Sequence, residues 1–218
     1  MSWRDPYLRG AIGSACHAGL FSLIIGLDFS SLATALIALT SLHVGLEAAW
    51  SNDDTTDRAG FEIATGVLLF ALSTIALRDA VSRGSMTGGG WGLVAVAVGS
   101  GLRLAAIRRL QERFVTCTAE RRGPLERGGV YALVRHPSEL GLGVYAAGLA
   151  TVSGSGLGWL ILAVGVGLGW RRVRREECAL IGLHGPRYRE YAGRTPAVIP
   201  DVTPWLSRAS RGRGLDPG

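Results

Sequence analysis

The chain has 218 residues, about the length of one domain, with 48% hydrophobic and only 18% charged residues and a mean hydropathy of +0.27. That is little charge for a soluble domain, and the net charge of +6 is carried wholly by arginine, since the sequence has no lysine. A nucleic-acid binder would show a solvated basic face with stacking aromatics; here the arginines flank apolar runs, the pattern of a membrane protein.

In chain order, the first apolar run covers residues 10–27 and the second 29–50, with a tight turn at Asp28, so the two read as a helical hairpin. No small-residue cleavage site follows the first run, which is therefore expected to stay as a span. A polar loop at 51–58 leads to a third run at 61–77, and a glycine-rich break at 82–90 leads to a fourth at 91–107. Each is close to the ~20 residues that cross a ~30 Å hydrocarbon core. Residues 108–135 are polar, arginine-rich and too irregular to span. A fifth run at 137–152 and a sixth ending at Trp170 are joined by Ser153-Gly154-Ser155-Gly156. Each arm is short for a span. The second is expected to continue as helix through Arg171–Glu177 towards Ile181, with Gly185-Pro186 as its stop. The fold expected is all-α and polytopic, with five to six transmembrane helices, the last two a hairpin, and a flexible tail from 201.

Arginine bias orients the chain. With the N-terminus inside, the Asp53 loop, residues 108–135 and everything after Trp170 fall inside, and only Arg78 and Arg83 fall outside. Cys16, Cys117 and Cys178 lie too far apart for metal-ligand or redox spacing and read as reduced thiols, so no metal site is expected.

Chemistry gathers on the inner side. In Arg135-His136-Pro137-Ser138-Glu139, proline suits the first helical position and drives His136 into extended geometry as N-cap, with Glu139 in a first turn where the dipole favours it. Alone, this reads as an ordinary capped helix at the membrane surface, although such a terminus also offers free N–H groups to a ligand. Arg172 and Glu176 share a helical face, and by themselves read as a topological anchor with a surface ion pair. Gly185-Pro186-Arg187-Tyr188-Arg189-Glu190-Tyr191, then Pro196 and Pro200, read as a polar segment packing its aromatics on the surface. His17 and His43 lie within spans, His184 reads as a cap, and Glu47, one turn after His43, forms with it an intramembrane ionisable pair.

In order, Gly129-Val130-Tyr131, Arg135-His136-Pro137-Ser138, Arg172 with Glu176-Glu177, His184-Gly185, Tyr188, Tyr191, Pro196 and Pro200 resemble the C-terminal half of isoprenylcysteine carboxyl methyltransferases and related membrane methyltransferases, over about residues 103–200. The resemblance implies one membrane domain whose residues 1–107 are four N-terminal spans and whose residues 108–200 are the catalytic part, with a pocket for S-adenosylmethionine at the cytoplasmic face of the inner membrane. It implies that Leu125 lies in the segment wrapping the cofactor, that Tyr131, His136, Pro137, Ser138 and Glu176 bind it, and that Arg172 is the catalytic arginine facing the methyl acceptor. Glu139 stands where that family usually has an aromatic, and residues 116–124 depart from its pattern. The activity implied is O-methylation of a carboxylate on a lipophilic small molecule or lipid, with no nucleic acid as partner. An ionised carboxylate needs no general base; for a hydroxyl or amine, His136 or Glu139 would be the base. N-methylation of a phospholipid head group, a sterol-reductase-like use of NADPH, and a non-enzymatic scaffold or small transporter stay open, the last disfavoured because polar groups concentrate at one surface rather than the midplane.

Overall fold

Every apolar run forms a helix. The structure, a computed structural model, describes residues 6–24, 31–50, 59–83, 89–110 and 124–199. The expected turn at Asp28, the loop at 51–58, Cys117, most of the segment 116–124 and the tail lie outside the described residues. The helices are α1 (Pro6–Ile24), α2 (Ser31–Trp50), α3 (Ala59–Arg83), α4 (Gly89–Leu110), α5 (Pro137–Ser153), α6 (Gly156–His184) and α7 (Pro186–Arg194), with a 3-10 turn at Gly129–Ala132.

Among the described residues, three stretches are long and apolar enough to cross a membrane by length and composition: Ser31–Ala49, Ala64–Ser82 and Gly89–Leu110. The expected fifth span is a helix of only 17 residues. The sixth has 29 residues, about 43 Å of helix, so its arginine-rich end extends past a ~30 Å core. The outer surface is apolar: Leu23, Leu42, Val67, Trp91, Val98, Leu160 and Val166 are all more than half exposed. Patches of that extent would drive a soluble protein to associate, whereas in a bilayer they are the solvated face. The protein is an all-α integral membrane protein.

A shared core is built from α1 to α6 around Phe21, Leu36, Leu72, Leu77, Val96, Tyr145 and Leu149. Its tightest seam joins α4 to α5. A Cβ on Gly99 would stand 2.3 Å from the Tyr145 backbone nitrogen, one on Gly141 2.6 Å from that of Arg103, and one on Gly148 2.6 Å from that of Val96. Small residues let membrane helices approach to backbone contact in this way. The glycines of the hairpin thus divide in two. Gly141 and Gly148 pack, whereas added Cβ atoms at Gly143, Gly165 and Gly167 would meet nothing within 4 Å.

Two glycine stops fix the ends of the hairpin. Gly154, in the left-handed region at φ 57°, ends α5, and the Ser155 hydroxyl accepts the Gly158 N–H at 3.2 Å to start α6. α6 runs through Gly182 to His184, and Gly185 at φ 52° ends it. α7 is a regular helix where the sequence suggested only a packed polar segment: Pro186 occupies its first turn, and burial of Tyr188 and Tyr191 against Leu180 holds it to α6.

Candidate cofactor and acceptor site

The site grows from the start of α5. His136 is the N-cap, with φ −121° and ψ 61°, and Pro137 takes the first helical position. Two backbone bonds pin the approach to this turn: the Arg135 N–H donates to Pro196 and the His136 N–H to Ala197, each at 2.9 Å. Pro196 and Ala197 therefore lie beside the His-Pro turn. Because the first N–H groups of a helix stand outside its ladder, those of Ser138 and Glu139 face outwards as donors.

Glu177, on the projecting end of α6, ties the site together. Arg135 grips it with two nitrogens, at 3.0 and 2.8 Å, His136 Nε2 lies 2.7 Å from it, and the Tyr188 hydroxyl donates to it at 2.6 Å. Arg135 also donates to the carbonyls of Ala192 and Thr195 at the end of α7. The other ring nitrogen of His136 lies 3.4 Å from Glu176. Burial alone would push the His136 imidazole down, but hydrogen bonds to Glu176 and Glu177 and their charges outweigh it and raise it above its ordinary 6.5. Burial likewise acts against the Glu177 carboxylate, yet its bonds from His136, Arg135 and Tyr188 hold it below the usual carboxylate range. With a carboxylate at each ring nitrogen, His136 clamps α5 to α6, and both neighbours favour its protonated form.

A narrow polar cavity of about 10 Å³ opens here, lined by Tyr131, Arg135, His136, Pro137, Ser138, Glu139, Arg172 and Glu176. Six of the seven residues singled out from the sequence meet in it. Leu125 does not; it packs beside Leu180, Tyr188 and Tyr191. Tyr131 is set by Tyr191, whose hydroxyl donates to the Tyr131 carbonyl at 2.5 Å and is pushed up to about 12, chiefly by burial. At 10 Å³ the cavity holds about one water, so it admits the polar end of a ligand rather than a whole one.

Beside it lies a second, apolar cavity of about 430 Å³ between α3, α5 and α6, walled by Leu68, Leu72, Leu140, Gly143, Ile161 and Gly165 among others. Exposed Val166, Trp170 and Ile199 at its rim open it to the outer surface of the helices. Glu139 and Arg172 line both cavities, and they pair at 3.1 Å with side chains only 9% exposed.

The sequence missed three contributors. Arg103, deep in α4, donates to both carboxylate oxygens of Glu47 and to the Ser138 hydroxyl at 2.9 Å, while His43 lies 3.1 Å from Glu47. The intramembrane pair His43–Glu47 is thereby wired to the His-Pro-Ser turn. Glu177 was visible only as the neighbour of Glu176, and Arg135 only as part of a motif. Among the described residues no group of histidine, cysteine or acidic side chains has metal-ligand geometry.

No family model matches the chain. Over 112 residues it is 29% identical to a protein-S-isoprenylcysteine O-methyltransferase of Schizosaccharomyces pombe, in a match covering 48% of this chain and 46% of that protein. The chain thus spans about half the length of the curated relative it matches.

Proposed function

We propose that this protein is an S-adenosylmethionine-dependent methyltransferase of the membrane, which esterifies the carboxylate of a lipophilic acceptor at the cytoplasmic face. The similarity to a methyltransferase supports the reaction class. The observation that carries the reading is the junction of the two cavities, where a polar pocket with cofactor-like donors and a large apolar groove share Arg172 and Glu139.

The donor set suits the cofactor. Glu176 is an anion for its ammonium and the first-turn N–H groups of Ser138 and Glu139 suit its carboxylate, so the polar cavity takes its amino-acid end, while the Tyr131 ring offers an electron-rich face to the sulfonium. When bound, S-adenosylmethionine supplies a methyl group activated on sulfur, which passes to an acceptor carboxylate oxygen as the carbon–sulfur bond breaks, leaving S-adenosylhomocysteine and a methyl ester. Arg172 holds the acceptor carboxylate through the planar fork of its guanidinium. An ionised carboxylate brings its own lone pair, so the protein's work is alignment and exclusion of water. The apolar groove takes the acceptor's tail from the membrane side.

The test is calorimetric titration of the detergent-purified full chain with S-adenosylhomocysteine, with and without Glu176→Ala. Saturable binding that the substitution weakens about tenfold, roughly 1.4 kcal/mol, is the expected result. Absence of binding to folded protein, with a reduced nicotinamide cofactor binding in its place, would replace this reading with a reductase.

A further inference from the structure

The arginines around the junction are already matched with carboxylates: Arg103 with Glu47, Arg135 with Glu177 and Arg172 with Glu139. An anionic acceptor arriving through the groove therefore meets a cation that carries an internal anion. From this geometry, and resting on the methyltransferase reading above, we propose that Glu139 is a place-holder for the acceptor's carboxylate. The acceptor carboxylate displaces it from Arg172, whereas a neutral head group leaves the pair in place, so Glu139 competes with anionic acceptors alone.

Three features support the exchange. First, the Glu139 carboxylate sits at the end of the apolar groove, with one oxygen on Arg172 and the other facing Gly169, where an added Cβ would lie 3.6 Å away. The end of the groove is thus shaped and charged for a carboxylate. Second, Arg172 and Glu139 are both nine-tenths buried, and stripping a buried guanidinium of its anion is costly. A neutral head group that displaced Glu139 would incur that cost and so leaves the pair intact, whereas a carboxylate can take the place of Glu139 and preserve the pairing. Third, Glu139 has another cation nearby, since the Arg103 guanidinium on α4 donates to the hydroxyl of the adjacent Ser138 at 2.9 Å. A displaced Glu139 carboxylate stays within the field of a guanidinium. Burial of the lipid tail then drives an exchange that is nearly even in charge.

The experiment uses the full chain saturated with S-adenosylhomocysteine and two probes that differ only at the head, N-acetyl-S-farnesylcysteine and its carboxamide, titrated by calorimetry. In Glu139→Gln the competing charge is gone, and the ratio of carboxylate to carboxamide affinity is expected to rise about tenfold over the unsubstituted chain. Glu139→Asp, which draws the carboxylate back by one methylene, is expected to shift the ratio the same way by less. S-adenosylhomocysteine binding reports that each variant is folded, and the Asp variant decides if the Gln variant is not. A ratio that is unchanged or lower in Glu139→Gln overturns the place-holder. Failure of the unsubstituted chain to bind S-adenosylhomocysteine would instead remove the methyltransferase reading itself, and the exchange with it.

Discussion

Gly143→Leu puts the groove to a quantitative test. Gly143 lies on α5, lines the apolar cavity, and offers open space where its Cβ would be. A leucine there enters the groove from a Cβ with no protein atom within 4 Å, and in mid-helix it replaces a residue that costs about 0.5–1 kcal/mol relative to alanine. The fold is therefore expected to tolerate it. Its four side-chain carbons occupy space that about four methylenes of a bound tail would otherwise fill. At roughly 0.8 kcal/mol for each buried methylene, a long tail loses about 3 kcal/mol of burial, or about a hundredfold in affinity. A short tail that ends before this level loses nothing. The assay is binding of an N-acetyl-S-alkylcysteine series of increasing chain length to the protein saturated with S-adenosylhomocysteine. The expected plot of affinity against chain length rises as in the unsubstituted protein and then levels off early. An equal loss at every length, or no loss at the longest, would refute the assignment of the groove to the acceptor tail.

Two further outcomes follow from the geometry. Gly99→Val places a branched Cβ against the Tyr145 backbone, where even a bare Cβ has 2.3 Å; no rotamer relieves a backbone clash, so α4 and α5 must separate at a cost above the usual 1–3 kcal/mol of overpacking. Size-exclusion chromatography should show loss of monodisperse protein, while Gly101→Val, with nothing within 4 Å, behaves as the unsubstituted chain. The His136–Glu177 clamp sets a pH dependence. The raised imidazole contributes stability that is complete below its ordinary 6.5 and is lost as pH rises through its folded value. The lowered Glu177 carboxylate contributes stability present above its ordinary 4.5 and lost as pH falls through its folded value. Thermal unfolding in detergent should thus be most resistant between those limits and decline on the alkaline side, a decline that His136→Gln flattens. Stability that climbs with pH above 6.5 would contradict the clamp.

What the sequence disclosed was local. Pro137 at the first helical position fixes the start of α5, although His136 before it, at φ −121° and ψ 61°, falls short of the extended geometry expected of it, and Gly185-Pro186 stops α6, so both ends fall where expected. Arg172 and Glu176 share a face by helical period. The rest needed the tertiary fold. Glu176 and Glu177 are adjacent, and their side chains leave the helix about 100° apart; only the positions of Arg135 and Tyr188 reveal that Glu177 is the hub. Arg103 lies inside the fourth apolar run, where nothing in the sequence names its partners. Its 3% exposure and its bonds to Glu47 and Ser138 depend on how α2, α4 and α5 meet. Glycines read alike in sequence, yet some form the α4–α5 seam and others floor the groove, a division set by which neighbour each one faces.

That division explains how so short a helix can serve three purposes. One face of α5 carries Gly141 and Gly148 into backbone contact with α4, which fixes its depth relative to the spans. The opposite side carries Leu140, Gly143 and Ala147 into the apolar cavity. Its N-terminal turn carries His136, Ser138 and Glu139 to the polar cavity. Because the seam is backbone against backbone, sliding α5 along α4 would cost close-packed contacts over its whole length. Arg103 removes the remaining freedom by reaching from α4 to the Ser138 hydroxyl while held by Glu47 of α2. The membrane half therefore does more than anchor: it sets the height of the His-Pro-Ser turn. The junction between the apolar groove and the polar pocket is fixed at the level where Arg172 emerges from α6.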